Sequence, residues 1–356
     1  MARTIGTAAY GLRAPIVKTG DDLIQIIVET VLKSGLEIKD RDVLGITESI
    51  VARCEGNYVT IDEVAEEIRN ISNNADTILV YRPIYSRNRF AMILKAIARA
   101  ASKKVYISMP DIDEVGNVLK NHPFTGLNYD EYYKSIVEAE NKECIIIYDD
   151  TTIDPKKDIM DFVINAEMYF TTCNYDPFKG GCYLTDICKD RCEYGLYGSN
   201  KSSEELLKLF PSKNYAQHVV DEVQHKIYLE TGKNIEVMVY GDGCFKDPVG
   251  GIWEFADPVV SPAYTSGLEG TPNEIKIKNF ADEKYKDLRG EALNAAIKDE
   301  IKNKSSNLKG SMNSQGTTPR RYTDLLGSLM DLTSGSGDKG TPFVYVQGYF
   351  DNMSNN

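Results

Sequence analysis

Residues 322–350 read YTDLLGSLMDLTSGSGDKGTPFVYVQGYF and hold a helix-like run, a turn and a strand in one stretch. The apolar run ends in Ser334-Gly335-Ser336-Gly337-Asp338-Lys339-Gly340, and Pro342 opens the β-rich run Phe343-Val344-Tyr345-Val346. Small residues in succession leave backbone N–H groups with little steric cover, and such groups form concave nests for phosphate oxygens. Asp338 and the nearby hydroxyls suit a divalent cation riding on those phosphates. A glycine-rich turn without a ligand has the same composition, so both readings stand at this point.

Upstream the same alternation recurs. Asp21-Asp22 precede an apolar stripe from Leu23 to Leu32 at helical spacing, with Gly35 as its stop. Residues 42–47 read as a buried strand, 49–53 as a helical turn and 60–71 as a helix with Thr60 or Asp62 near its cap. Strands are predicted at 77–81, 104–109 and 144–148, with helices at 88–101 and 129–141 between them. The pattern predicts a mixed α/β core with helices packed on a sheet. From about residue 153 the texture changes. Residues 171–200 are rich in Cys, Tyr, Gly and Asp, helices are predicted at 215–230 and 287–302, and residues 235–240 read as a strand. Residues 241–248 and the segment to Trp253 and Asp257-Pro258 read as turn-rich, and 303–319 as a flexible loop or lid. The expected organisation is a core of 1–152 and 320–350, an insertion or second lobe over 153–310, and a tail at 351–356.

Bulk properties narrow the function. At 356 residues and 42% hydrophobic the chain supports two lobes and a substantial core. A net charge of −12 argues against nucleic acid or an acidic membrane face as partner. No apolar run reaches bilayer length and the amino terminus lacks a secretory centre, so a cytoplasmic protein is expected. Seven cysteines, an odd number, suggest reduced thiols.

Four segments at strand ends or helix starts carry candidate chemistry. These are Gly11 to Leu23, Thr47-Glu48-Ser49 to Arg53, Pro110 to Asn117 with three acids, and Tyr148-Asp149-Asp150-Thr151-Thr152. Acidic pairs there suit oxygen-liganded Mg²⁺ or Mn²⁺ on nucleotide phosphates; capping of helices or turns by Asp21, Asp113 and Asp150 is the competing reading. Neither of the common nucleotide fingerprints, G-x-x-x-x-G-K-[ST] or G-x-G-x-x-G after a strand, occurs. Of the three histidines, His122, His218 and His225, the last two share a predicted helix and read as surface or interface residues, and none is placed near a plausible Ser or Cys nucleophile. Cys173, Cys182, Cys188 and Cys192 lack the rhythm of a metal site and read as unliganded thiols, with zinc or iron–sulfur binding as the alternative. Arg82, Arg87 and Arg89 crowd a strand-to-helix junction, where they suit carboxylates or phosphates.

Taken together, GLRAPIVKTGDDL, DVLGITESIVARCEG, DIDEVGN, YDDTT and the carboxyl-terminal stretch resemble the ordered motifs of the coenzyme F420-0:γ-glutamyl ligase family. The resemblance covers residues 1–152 and 320–350, which makes the chain a divergent member with a large insertion. It implies an α+β fold particular to the family, a homodimer, GTP (or ATP) and Mg²⁺ or Mn²⁺ as cofactors, and joining of L-glutamate to a carboxylate. Residue by residue it places Gly11, Leu12, Glu48, Ser49 and Asn117 at the nucleotide, with Arg53 where the family has a phosphate-contacting lysine. Asp113, Asp150 and Thr151 match metal ligands, with Asp149 an alternative to Asp150. Ser334, Gly335, Ser336, Gly337, Asp338 and Lys339 match the phosphate loop, Ser336 standing where a longer Glu or Gln metal ligand is usual.

The chain also departs from the resemblance. Ile153-Asp154-Pro155-Lys156-Lys157 replaces the family's Gly-Arg after the Asp-Thr pair, and the arginine cluster replaces a glycine-rich pattern. The activation chemistry and the acceptor are therefore separable. Arg82, Arg87, Arg89 and Lys246 are the candidates to hold substrate carboxylates. The expected activity is a metal-dependent amide ligase acting through an acyl phosphate; the alternative is a catalytically inactive nucleotide- or metabolite-binding protein of the same fold.

Overall fold

The computed structural model describes residues 4–83, 88–111, 118, 120–121, 126–148, 161–166, 180–246, 253–306, 320–335 and 337–354; for 242–246 and 253–259 it describes the backbone only. The described residues form two five-stranded sheets and a three-stranded one.

The first sheet is mixed. Its order is β1 (Ala8–Leu12), β13 (Phe343–Gln347), β2 (Val43–Thr47), β11 (Glu236–Lys246) and β12 (Trp253–Tyr264). β13 runs antiparallel to β1 and β2, β2 runs parallel to β11, and β11 and β12 form an antiparallel pair. Helices cover both faces, which is why its strands read as unbroken apolar runs. Phe343, Tyr345, Leu44, Ile46, Val237 and Val239 pack on one side with α1 (Leu23–Lys33) and α6 (Lys213–Thr231). Val344, Val346, Val43, Met238 and Tyr240 pack on the other with Leu326 and Met330 of α9 (Tyr322–Ser334). Gly45 is required on that second side: a Cβ there would lie 2.2 Å from Met330 Sδ. Residues 241–246, read from the sequence as a turn, continue β11 instead. Register shifts at Val239/Gly241 and Gly241/Gly243 absorb the small residues as bulges, so glycine here bends a strand without ending it.

The second sheet is parallel throughout, in the order β6 (Glu143–Tyr148), β5 (Lys104–Met109), β4 (Thr77–Tyr81), β7 (Phe162–Asn165) and β8 (Gly181–Tyr183). The chain steps outward from β4 to β6, then continues on the other side of β4 through β7 and β8. The strand order therefore reverses between β4 and β7, as in doubly wound proteins, without their glycine fingerprint. The expected division at residue 152 falls inside this sheet, between β6 and β7. Helices α3 (Ile61–Ile71), α4 (Arg89–Ala100) and α5 (Tyr129–Ala139) belong to its core. Thr60 opens α3 in a capping box with Glu63.

A small antiparallel sheet, β3 (Tyr58–Thr60), β10 (Leu206–Leu209) and β9 (Ser199–Ser203), lies between the larger two, and α2 (Glu48–Glu55) leads into it. α7 (Ile277–Asn279) and α8 (Gly290–Asn303) follow β12; in α8 only Ile297 and Ile301 are buried. Residues 307–319 of the predicted lid lie outside the described residues. No described helix is long and apolar enough to cross a membrane.

Candidate nucleotide cleft

The carboxyl ends of β1, β2 and the regular part of β11 meet the amino end of β13 at one edge of the mixed sheet, because Leu12 pairs with Phe343, Phe343 with Ile46 and Tyr240 with Thr47. A cleft of about 420 Å³ opens there, lined by Ala14 to Val17, Thr47 to Ile50, Arg53, Tyr240, Gly241, Asp331 and residues of the 334–342 turn. Segments from opposite ends of the sequence are stitched around it. Ala14 N–H donates to the Gly340 carbonyl at 3.1 Å, and Thr47 N–H to the Pro342 carbonyl at 3.0 Å. Arg53 Nε donates to the Val17 carbonyl at 2.6 Å, and Thr19 Oγ1 donates to the Arg53 carbonyl at 2.9 Å.

The turn after α9 is held from inside. Gly335 N–H and Ser334 Oγ both donate to the Asp331 carbonyl, at 3.0 and 2.9 Å, and Thr341 Oγ1 donates to the Ser334 carbonyl at 2.9 Å. Gly335 has φ 61° and ψ −148°, a conformation essentially confined to glycine. A Cβ at Gly335 would lie 2.7 Å from Lys339 Nζ, so the lysine folds back over the turn. Tyr240 supports it from below through its hydroxyl, which donates to the Met330 carbonyl at 3.4 Å; burial pushes that phenol up.

Across the cleft, α2 begins at Glu48, and its N-cap Thr47 makes no side-chain capping bond. The first turn of α2 lines the same space as the glycine turn. Both features suit a polyanion. Glu48 itself is buried, and both its oxygens accept from Lys208 Nζ of β10, at 2.8 and 3.2 Å. Gly241 makes room for it: a Cβ there would lie 2.1 Å from Glu48 Cγ.

The cleft brings together Glu48, Ser49, Arg53, Ser334, Gly335 and Gly337 of the expected nucleotide residues. Gly11 and Leu12 lie next to it. Leu12 is buried, and the two line a neighbouring depression of about 420 Å³ with Arg13, Pro15 and the α1 face. Asp338 and Lys339 sit in the short turn Gly337–Lys339. Asp113, Asn117, Asp149, Asp150, Thr151 and Ser336 lie outside the described residues. The strands leading to the two acidic segments pair in parallel, Met109 opposite Tyr148, so the chain leaves both at adjacent points. Among the described residues no group of three or more His, Cys, Asp or Glu side chains is arranged to hold a metal.

Arg82 and Arg89 are elsewhere, at the carboxyl edge of the parallel sheet. Arg82 has φ 49° and its guanidinium lies over the Tyr81 ring at 5.6 Å; Arg89 is buried, with Nη2 3.5 Å from Asn200 Oδ1. Arg87 and the Lys246 side chain lie outside the described set. His218 and His225 are exposed on α6. Cys182, Cys188 and Cys192 are free and buried, and burial pushes all three thiols up, Cys182 to about 12 and Cys192 to about 11. Sequence reasoning missed Lys208, Tyr240, Gly241 and Asp331. The lysine inside Leu206-Leu207-Lys208-Leu209 was the available signal, since a charge in a buried strand needs a partner.

The sequence profile of the F420-0:gamma-glutamyl ligase family matches residues 11–348, nearly the whole chain. The chain belongs to this family. Over 61 residues it is 34% identical to the coenzyme F420:L-glutamate ligase of Methanothermobacter thermautotrophicus, covering 17% of this chain and 24% of that protein. Over 51 residues it is 33% identical to an uncharacterized protein of Methanocaldococcus jannaschii, covering 14% and 18%. The matched stretch thus spans less than a quarter of either relative. The family profile runs through both large sheets, including β7 to β12.

Proposed function

We propose that the protein is an NTP-dependent, divalent-metal-dependent ligase that joins a carboxylate to an amino acid, with L-glutamate and an F420-type acceptor as the substrates its family implies. The observation that carries this reading is the family match over 11–348 together with a cleft where α2's first turn faces a glycine turn. The triphosphate lies against the amides of Glu48 to Ile50 and of the 335–340 turn, with Arg53 and Lys339 supplying positive charge. Asp113, Asp150 (or Asp149), Thr151 and Ser336 hold Mg²⁺ or Mn²⁺, whose contribution when bound is to neutralise phosphate charge. The acceptor carboxylate oxygen attacks the γ-phosphorus, the bond to the bridging oxygen breaks and the nucleoside diphosphate leaves. The amine nitrogen then attacks the acyl carbon of the acyl phosphate; the C–N bond forms, inorganic phosphate departs and the amine proton passes to solvent. Arg82, Arg87, Arg89 and Lys246 orient the substrate carboxylates, and exclusion of water by the 303–319 segment protects the acyl phosphate.

The test is incubation with GTP or ATP, Mn²⁺, L-glutamate and F420-0 or other carboxylic acids, following phosphate release and the mass of the product. Phosphate release that depends on both substrates is expected; none with any combination contradicts the reading. A second reading, binding without turnover, is favoured by Ser336 standing in place of a longer metal ligand, and nucleotide binding with no product across the acceptor series would select it. The homodimer implied by the family is checked by light scattering.

A further inference from the structure

β10 is the central strand of the small sheet, and its alternation separates two environments. Leu207 and Leu209 point into the core of the parallel sheet. Lys208, between them, faces the other way and meets Glu48 of the cleft, 160 positions away in sequence. Both side chains are almost fully buried, with 10% and 6% of their surface exposed. An ion pair this deep is poorly explained by stability. Desolvation of both charges offsets most of their attraction, and apolar residues of the same volume commonly serve the fold as well or better. What the pair does control is the charge at the first residue of α2. A bare carboxylate there would repel a polyphosphate from the amides that otherwise attract it.

We propose that Lys208 is a positioning residue of the nucleotide cleft: it fixes and neutralises Glu48, so that the phosphates meet a paired carboxylate at the amino end of α2. The inference rests on the nucleotide-binding reading above. Gly241 is the second part of the device, since the space left by its missing Cβ is the space Glu48 occupies to reach Lys208. Because β10 also pairs with β9, where Asn200 lies opposite Lys208 and within reach of Arg89, the same lysine ties the cleft to the arginine-bearing edge of the parallel sheet.

Isothermal titration with GTP and with ATP, each with Mn²⁺, and with the matching nucleosides tests this on the full chain. In Lys208→Met, triphosphate affinity falls about tenfold while nucleoside affinity stays within about twofold, because the loss of one positive charge beside Glu48 acts on the phosphates alone. Lys208→Arg stays within about threefold of the unaltered protein, and Lys208→Met combined with Glu48→Gln, which keeps the Glu48 backbone N–H, recovers most of the loss. Where Lys208→Met does not fold by circular dichroism, Lys208→Gln carries the same expectations. The proposal is overturned if triphosphate affinity is unchanged, if nucleoside affinity falls equally, or if the double variant is as weak as the single. Failure of the unaltered protein to bind either triphosphate rejects the nucleotide reading itself, and this inference with it.

Discussion

The two large sheets solve different problems. The parallel sheet is built from consecutive chain, β4 to β8, and crossover helices such as α4 and α5 carry the connections from strand to strand. The mixed sheet is built from pieces: β1 and β2 from the beginning, β11 and β12 from the middle, β13 from the end. Its edge therefore gathers loops from three distant parts of the chain, and that is where the cleft lies. A ligand bound there touches segments that chain order alone does not keep together. The comparison predicts that changes around the mixed sheet disturb binding and stability jointly, while changes in the parallel sheet away from the segments that follow β5 and β6 disturb stability with little effect on the nucleotide.

The largest effect is expected from Gly335→Ala. The residue sits at φ 61° and ψ −148°, so a side chain displaces the amides of the turn, and nucleotide-dependent turnover falls by about 100-fold, as loss of such donors does elsewhere. Steady-state phosphate release checks it, with thermal melting as the control. Gly45→Ala comes next. Its Cβ collides with Met330, so overpacking between β2 and α9 costs about 1–3 kcal/mol in urea unfolding, and nucleotide affinity drops as well because α9 carries the turn.

Arg99→Ala sharpens the contrast from the other sheet. Arg99 of α4 bonds to both oxygens of Glu140 at 2.9 and 3.0 Å, to Asp62 at 2.8 Å and to Glu205 at 2.9 Å, which together push its guanidinium up. Loss of this partly exposed network costs about 1–2 kcal/mol by urea unfolding and leaves nucleotide affinity unchanged.

The smallest effect is a matter of acid. The Thr60 N–H first, then its hydroxyl, lowers Glu63 below its usual 4.5, and Lys95 first, then Arg99, lowers Glu205. Lowered carboxylates give stability that is present above the unfolded value and lost as pH falls through the native one. Unfolding midpoints measured from pH 6 to pH 3 should therefore decline below about 4.5, and Glu63→Gln should flatten that decline. Asp42, at the opposite edge of the mixed sheet, has the reverse sign. Burial raises it above 3.8 despite bonds from the Lys39 N–H and the Tyr345 hydroxyl, so its contribution weakens as pH rises through its native value.

Much of this was legible in the sequence where local physics decides. The strands at 77–81 and 104–109 fall where expected, and the helices at 60–71, 88–101 and 129–141 are matched by α3, α4 and α5 to within two residues at either end. Their periodicity and caps are written locally. β1, β3 and β7 to β10 carry three to five residues each, too few to show a period, and they exist because partner strands complete their hydrogen bonds. β12 was hidden by its Pro258 and Pro262, which an edge strand tolerates. For the cleft, the glycine turn and the Thr47-Glu48-Ser49 segment were readable as separate anion sites. That they face each other follows only from β2 and β13 being neighbours in the sheet. That Lys208 needs a partner was readable from its apolar neighbours, but that the partner is Glu48 was not, because nothing in either local sequence points to the other.

The central claim is that the nucleotide sits at the edge of the mixed sheet and not at the point where strand order reverses in the parallel one. Hydrogen–deuterium exchange with and without GTP or ATP and Mn²⁺ tests it directly. The account predicts slowed exchange at the amides of residues 48–51 and 335–341, with residues 82, 89–91 and 165–166 unchanged. Protection confined to the second set, beside Arg82 and Arg89, would contradict it.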